Sequence, residues 1–226
     1  MRFETKRVVY AAVFPVLFLL LIWIMMGFGW SFDLDWYRLG IFPRRTEGLL
    51  GILTSPLIHS NLKHLFSNTV SLFILGWCLF YFYKDMAYAV FPLIWIFSGL
   101  ITWNIGRESW HIGASGLIYG LSFFLFFSGV FRKYTPLLAI SLMVAFLYGS
   151  TLWNMFPISE WIDSRVSWEG HLAGAIGGVI CAVMFRKYGP QRPEPFPEEE
   201  DDDENENNEE NGSDGENGGR TGSEIL

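Results

Sequence analysis

Six apolar stretches between Val8 and Tyr188 constrain this chain more than any other feature. They run Val8–Trp30, Leu62–Tyr83, Met86–Trp103, Ser115–Phe131, Tyr134–Phe156 and Trp168–Phe185. Several approach the roughly 20 residues needed to cross a ~30 Å hydrocarbon core. Backbone polar groups have no water partners there, so such runs must satisfy themselves as helices. The expected fold is therefore all-α membrane, a bundle of six transmembrane helices. A single soluble domain, which 226 residues with 51% hydrophobic content would otherwise allow, is excluded. The first stretch follows Arg2, Lys6 and Arg7 but is too long for a signal-peptide apolar region and has no small-x-small site after it, so it is expected to be retained. Cys78 and Cys181 fall inside apolar stretches without metal-ligand spacing and are expected to pack.

The net charge of −7 averages two materials. Residues 191–226 hold 14 acids against 2 arginines, net −12, leaving 9 acids and 14 bases, net +5, in residues 1–190. The expectation is a membrane domain over 1–190 and a Pro-rich, then acidic, disordered tail over 191–226. An even number of spans puts both termini on one side. Basic residues are denser in the short segments that would then be cytoplasmic, from Arg2 through Lys84, Arg132 and Lys133 to Lys187. The segment Ser31–Asn61 is too long for a simple connector and is expected to carry structure of its own.

In this topology the second, fourth and sixth stretches run in the same direction, so their first turns lie at similar depth near the outer face. Each of these turns is polar: His64 and Asn68, Ser115, and His171. His64 and Asn68 are four apart and share a helical face, as do Ser115 and Tyr119. Polar side chains at membrane depth are costly and normally face a bundle interior or wet cavity. Gly116 and Gly120 in the fourth stretch, and Gly170, Gly174 and Gly178 in the sixth, make flat stripes that allow close helix approach. Such contact would bring Ser115 near His171. The fourth stretch is also short, so Ser115 is expected at the floor of an outward-opening aqueous cavity.

Serine with histidine is the minimal pair for acyl transfer: the imidazole takes the hydroxyl proton and later returns it to the leaving amine. A serine opening a helix also gains free backbone N–H groups for an oxyanion. No acid lies inside the predicted spans to orient His171, and Glu169 points to another part of the helix, so a dyad is expected. Taken singly, each residue has a structural competitor: Ser115 as packing, Asn68 as interhelical glue, His171 as a hydrogen bonder or proton carrier. Their gathering in three parallel helices at one depth favours chemistry.

These strings resemble the rhomboid family of intramembrane serine proteases. They are His64-Leu-Phe-Ser-Asn68, Gly113-Ala-Ser115-Gly116 with Tyr119 a turn later, and His171-Leu-Ala-Gly174 continuing to Gly178. The resemblance covers roughly Val8 to Tyr188 and implies a six-helix rhomboid-like bundle. It implies Ser115 as nucleophile, His171 as general base, and an oxyanion hole of His64, Asn68 and the Ser115 amide. Tyr119 would pack on the His171 ring and Gly113 would lend backbone contacts to substrate. His59 matches a loop histidine that is commonly structural in the family, while His111 matches no family role. The fifth helix and the loop Pro157–Ser167 would form a lateral gate and cap. The implied substrates are transmembrane segments of other proteins within the lipid bilayer, with no cofactor, no metal and no nucleic acid; no partner for the tail can be read. The chain departs from the family at the end of the second helix, where Gly76 is followed by Phe80 and Lys84, and in its first loop, where Trp36, Tyr37 and Arg38 only loosely match a Trp-Arg pair. Two alternatives stand beside the protease: a non-proteolytic rhomboid-like binder of membrane proteins, and a small proton-coupled transporter. The retained Ser115 and His171 weigh against the first. The lack of intramembrane carboxylates and of internal repetition weighs against the second.

Overall fold

A computed structural model of the chain describes residues 2–32, 34–157 and 167–193. Most of the proposed cap, Pro157–Ser167, and nearly all of the acidic tail lie outside the described residues. Six helices carry the fold: α1 (Arg2–Ser31), α2 (Leu62–Tyr83), α3 (Ala87–Ile105), α4 (Ser115–Arg132), α5 (Thr135–Tyr148) and α6 (Trp168–Met184). Among the described residues there is no strand beyond one isolated bridge between Ile41 and His111. Four stretches are long and apolar enough to cross a membrane: Thr5–Ser31, Leu62–Ile105, Ser115–Arg132 and Thr135–Met155. The second of these holds both α2 and α3, and α6 is apolar but only 17 residues long.

Local chemistry sets the helix ends. Asn61 caps α2 by accepting the His64 N–H at 2.9 Å, and Ser167 caps α6 by accepting the Gly170 N–H at 3.1 Å. Lys84, at φ 49°, breaks the run between α2 and α3, and Lys133, at φ 48°, stops α4 in the left-handed conformation. Pro136 then opens α5. The fifth stretch is not one α-helix throughout. The Thr151 hydroxyl donates to the Tyr148 carbonyl at 2.6 Å, and the chain tightens into a 3₁₀ segment, Gly149–Met155.

Small residues decide the packing of α6, which lies against α4 and α3. A Cβ on Gly174 would overlap the Gly116 carbonyl, and one on Gly178 would overlap the Gly120 carbonyl. In the other direction, Gly116 and Gly120 face the carbonyls of Gly170 and Gly174, each 3.1 Å from an added Cβ. Backbone therefore meets backbone at these glycines. By contrast α1 leans on α2 through larger groups: Trp77 Nε1 donates to the Val8 carbonyl at 3.0 Å, and Phe14 stacks on Phe80 at 4.7 Å. Its other face, including Leu17, Leu20, Leu21 and Ile24, is exposed.

The segment between α1 and α2 is structured, with 3₁₀ turns at Trp36–Leu39, Thr46–Gly48 and Ser55–Leu57 and a helical turn at Gly51–Thr54. At the other end of the bundle Arg132 is buried, although its charge alone suggested an exposed inner-face residue. Its Nη2 donates to the Phe185 carbonyl at 2.6 Å, its Nη1 to the Pro190 carbonyl at 3.2 Å, and its Nε to Ser128 Oγ at 2.9 Å. This guanidinium ties the chain that follows α6 to the end of α4.

Candidate active site

The backbone contact between α4 and α6 carries their first turns together. Ser115 is the first residue of α4, and His171 lies in the first turn of α6. Both border one cavity of about 1080 Å³, whose wall also includes His64, Asn68 and Tyr119. Of the six residues singled out in the sequence, only Gly113 is not part of this wall, and it stands directly behind His64. Ser115 and His171 share the cavity without a direct hydrogen bond between them. Such bonds often tighten only when substrate arrives.

The His171 ring is held on two sides. Its Nδ1 lies 3.0 Å from the Asn154 carbonyl oxygen, which can only accept, so Nδ1 carries the proton. Nε2 is then left with a lone pair, the form a general base requires. Tyr119 stacks on the ring with centroids 4.3 Å apart and planes 13° from parallel. The Tyr119 hydroxyl is fixed in turn by donating to the Thr151 carbonyl at 2.7 Å. Asn154 and Thr151 both belong to the 3₁₀ segment after α5. Sequence reasoning found Tyr119 but missed Asn154, because a backbone carbonyl leaves no trace in residue type.

Gly113 has φ +105°, and a Cβ there would lie 2.7 Å from His64 Cε1. The glycine thus admits the His64 ring against the backbone just before Ser115. The Gly113 N–H is already committed, donating to the Ser55 carbonyl at 2.9 Å. Asn68 is buried, and its Nδ2 donates to His59 Nε2 at 3.0 Å, which leaves its second amide hydrogen for another acceptor. His59 is buried as well, and that burial, aided by the nearby His64, pushes its pKa down to about 4. It therefore stays neutral and can accept from Asn68.

The Rhomboid domain matches residues 46–188, well over half of the chain. The chain belongs to the rhomboid family. Together with its long apolar helices, this makes it a helical integral membrane protein. An uncharacterized protein of Mycobacterium tuberculosis (strain ATCC 25618 / H37Rv) is 39% identical over 151 residues, covering 64% of this rhomboid and 62% of that protein. An uncharacterized protein of Mycobacterium leprae is 38% identical over 152 residues, covering 64% and 59% respectively. The chain therefore spans about three fifths of the length of these mycobacterial relatives. A Bacillus subtilis protein named "Putative rhomboid protease YdcA" is 28% identical over 161 residues, covering 69% of this chain and 75% of its own.

Two further buried polar residues of this rhomboid, Glu169 and His111, lie close to the cavity. Glu169 is 2% exposed; its Oε1 accepts the Arg107 N–H at 3.3 Å and sits 3.7 Å from the Arg107 guanidinium. His111 is 4% exposed, and burial lowers its pKa. The Ile41 bridge draws the loop of His111 into the protein.

Proposed function

We propose that this rhomboid is an intramembrane serine endopeptidase that cleaves transmembrane segments of other membrane proteins through an acyl-enzyme. The observation that carries the proposal is the shared cavity, whose wall holds both Ser115 and a histidine whose Nδ1 is occupied by a carbonyl. In this mechanism His171 Nε2 takes the Ser115 proton as Oγ attacks the scissile carbonyl. The developing oxyanion receives hydrogen bonds from the second Asn68 amide hydrogen, from His64, and from the Ser115 N–H in the first turn of α4, where no intrahelical acceptor competes for it. His171 then protonates the leaving amine, and water from the cavity releases the acyl group. Tyr119 and the Asn154 carbonyl keep the imidazole in plane and in one tautomer. No metal or cofactor takes part.

The same reading places six transmembrane spans in the bilayer, with both termini cytoplasmic and the cavity opening to the extracytoplasmic side. α5 and the segment following it serve as the lateral gate through which a substrate helix enters. Gly113 lends backbone to the bound strand. Cleavage of a co-reconstituted single-span protein by the wild type and by Ser115→Ala tests the assignment. Wild-type cleavage and none by the variant is expected; equal cleavage by both would refute it, and a folded wild type inert toward several such substrates would favour the non-proteolytic binder. His171→Ala should abolish turnover, and Asn68→Ala should lower kcat by ~10- to 1,000-fold. An unchanged rate in the latter removes Asn68 from the oxyanion hole.

A further inference from the structure

His111 is a buried histidine that the chemistry above does not use, yet it lies at a junction of three chain segments. Its backbone pairs with the first loop: the Ile41 N–H donates to the His111 carbonyl at 2.9 Å, and the His111 N–H donates to the Ile41 carbonyl at 2.8 Å. Its ring reaches the other two segments. Nε2 lies 3.0 Å from the Arg107 carbonyl, with Ser109 Oγ at 3.5 Å, and Nδ1 lies 2.6 Å from Ser167 Oγ.

The directions of these bonds can be worked out from what each atom is able to do. A carbonyl only accepts, so Nε2 carries the ring proton and Nδ1 must be the acceptor. The Ser167 O–H therefore donates to Nδ1, while the same oxygen accepts the Gly170 N–H at 3.1 Å to cap α6. The Ser167 carbonyl accepts the His171 N–H at 3.2 Å. Arg107, which receives the His111 proton at its carbonyl, gives its own N–H to Glu169. The approach to α4 and the first turn of α6 are thus joined by hydrogen bonds whose polarity runs one way. The circuit needs a neutral ring, and burial favours that form.

We propose that His111 is a positioning residue which, through Ser167, fixes the start of α6 and its His171 against the start of α4 and its Ser115. Its consequence for catalysis rests on the serine-hydrolase reading; its consequence for the helix start does not. The bond links atoms 56 residues apart in sequence and spans the short interval between the two elements that deliver nucleophile and base.

Two measurements on the detergent-solubilised full chain test the strap, using His111→Leu, Ser167→Ala, the double variant and His111→Asn. The first is the rate at which a fluorophosphonate labels Ser115, per folded molecule. His111→Leu and Ser167→Ala should each slow labelling by about tenfold, and the double variant should be no slower than the slower single, because both remove one bond. Asn offers Oδ1 in place of Nδ1 and should restore the rate to within about threefold of wild type. Wild-type labelling in a folded His111→Leu variant, or losses that multiply in the double variant, would overturn the proposal. The second measurement is amide exchange at Gly170 and His171, which should quicken about tenfold in His111→Leu and return in His111→Asn. Unchanged exchange would also overturn it. If His111→Leu does not fold, Ser167→Ala and His111→Asn carry both tests. A wild type that is never labelled, but whose variants show the exchange effect, would sustain the strap and remove the serine-hydrolase reading instead.

Discussion

Gly113 shows how narrowly the candidate site is built at the level of single residues. Its φ of +105° is a conformation that residues with a Cβ adopt only at a cost of about 1–3 kcal/mol. A methyl group there would also strike His64. Gly113→Ala should therefore lower both the melting temperature and kcat, and a variant with wild-type values of both would show that the His64 contact is dispensable. His59 makes a pH-dependent contribution. It titrates at about 4 when folded, against an ordinary 6.5, so the unfolded chain binds more protons between these values. Its stabilisation is complete above about 6.5 and is lost as the pH falls toward 4. Thermal unfolding at pH 7 and pH 4.5 should show this loss, and His59→Asn should shrink the difference. At this scale the sequence singled out Ser115, His64, Asn68 and Tyr119, which line one cavity, because polar side chains stand out in apolar runs. It failed for Asn154, which acts through its carbonyl, and for His111, whose burial depends on a bridge to a residue 70 positions earlier.

At the scale of helices the four-residue glycine spacing was legible and has a direct structural meaning, since these positions carry backbone against backbone in the contact of α4 with α6. Gly174→Val should push the two helices apart, costing several degrees of melting temperature and most of the activity. Ile180→Ala, on an exposed part of the same helix, should change neither by much. Equal effects would mean that α6 tolerates separation from α4. The boundaries of α2 and the start of α4 were also legible, because Asn61 and the Gly113-Ala-Ser115 string punctuate the chain. The fifth stretch was not. Its apolar pattern continues through Phe156, but side-chain hydroxyls at Thr151 and Tyr119 capture the carbonyls of Tyr148 and Thr151 and draw the chain into a tighter turn. Periodicity records which residues are apolar, and carries no information about hydroxyls competing for carbonyls.

For the whole molecule, the composition break was plain from the charges. Arg132 ties down the chain at Phe185, Tyr188 and Pro190, and Gln191 donates to the Arg186 carbonyl at 3.2 Å. A truncation after Arg192 keeps every one of these contacts. It should insert and cleave like the full chain, and lost cleavage in a properly inserted truncation would assign the tail a part in the reaction. Arg132→Ala should instead loosen the end of α6 and lower the melting temperature with the tail still present.

The glycine ladder between α4 and α6 carries an ambiguity of its own. A contact that repeats every four residues is nearly unchanged when one helix slides by one period, about 6 Å at 1.5 Å per residue. Gly174 already touches both Gly116 and Gly120, so a slipped pairing would keep much of the same surface. The ladder thus sets how near the two helices come and leaves their phase undetermined, as two combs with equal teeth mesh in more than one position. A slip of a single tooth would carry the first turn of α6, with His171, about 6 Å along α4 and away from Ser115. Whatever removes that degeneracy must lie outside the repeat, in contacts that occur once.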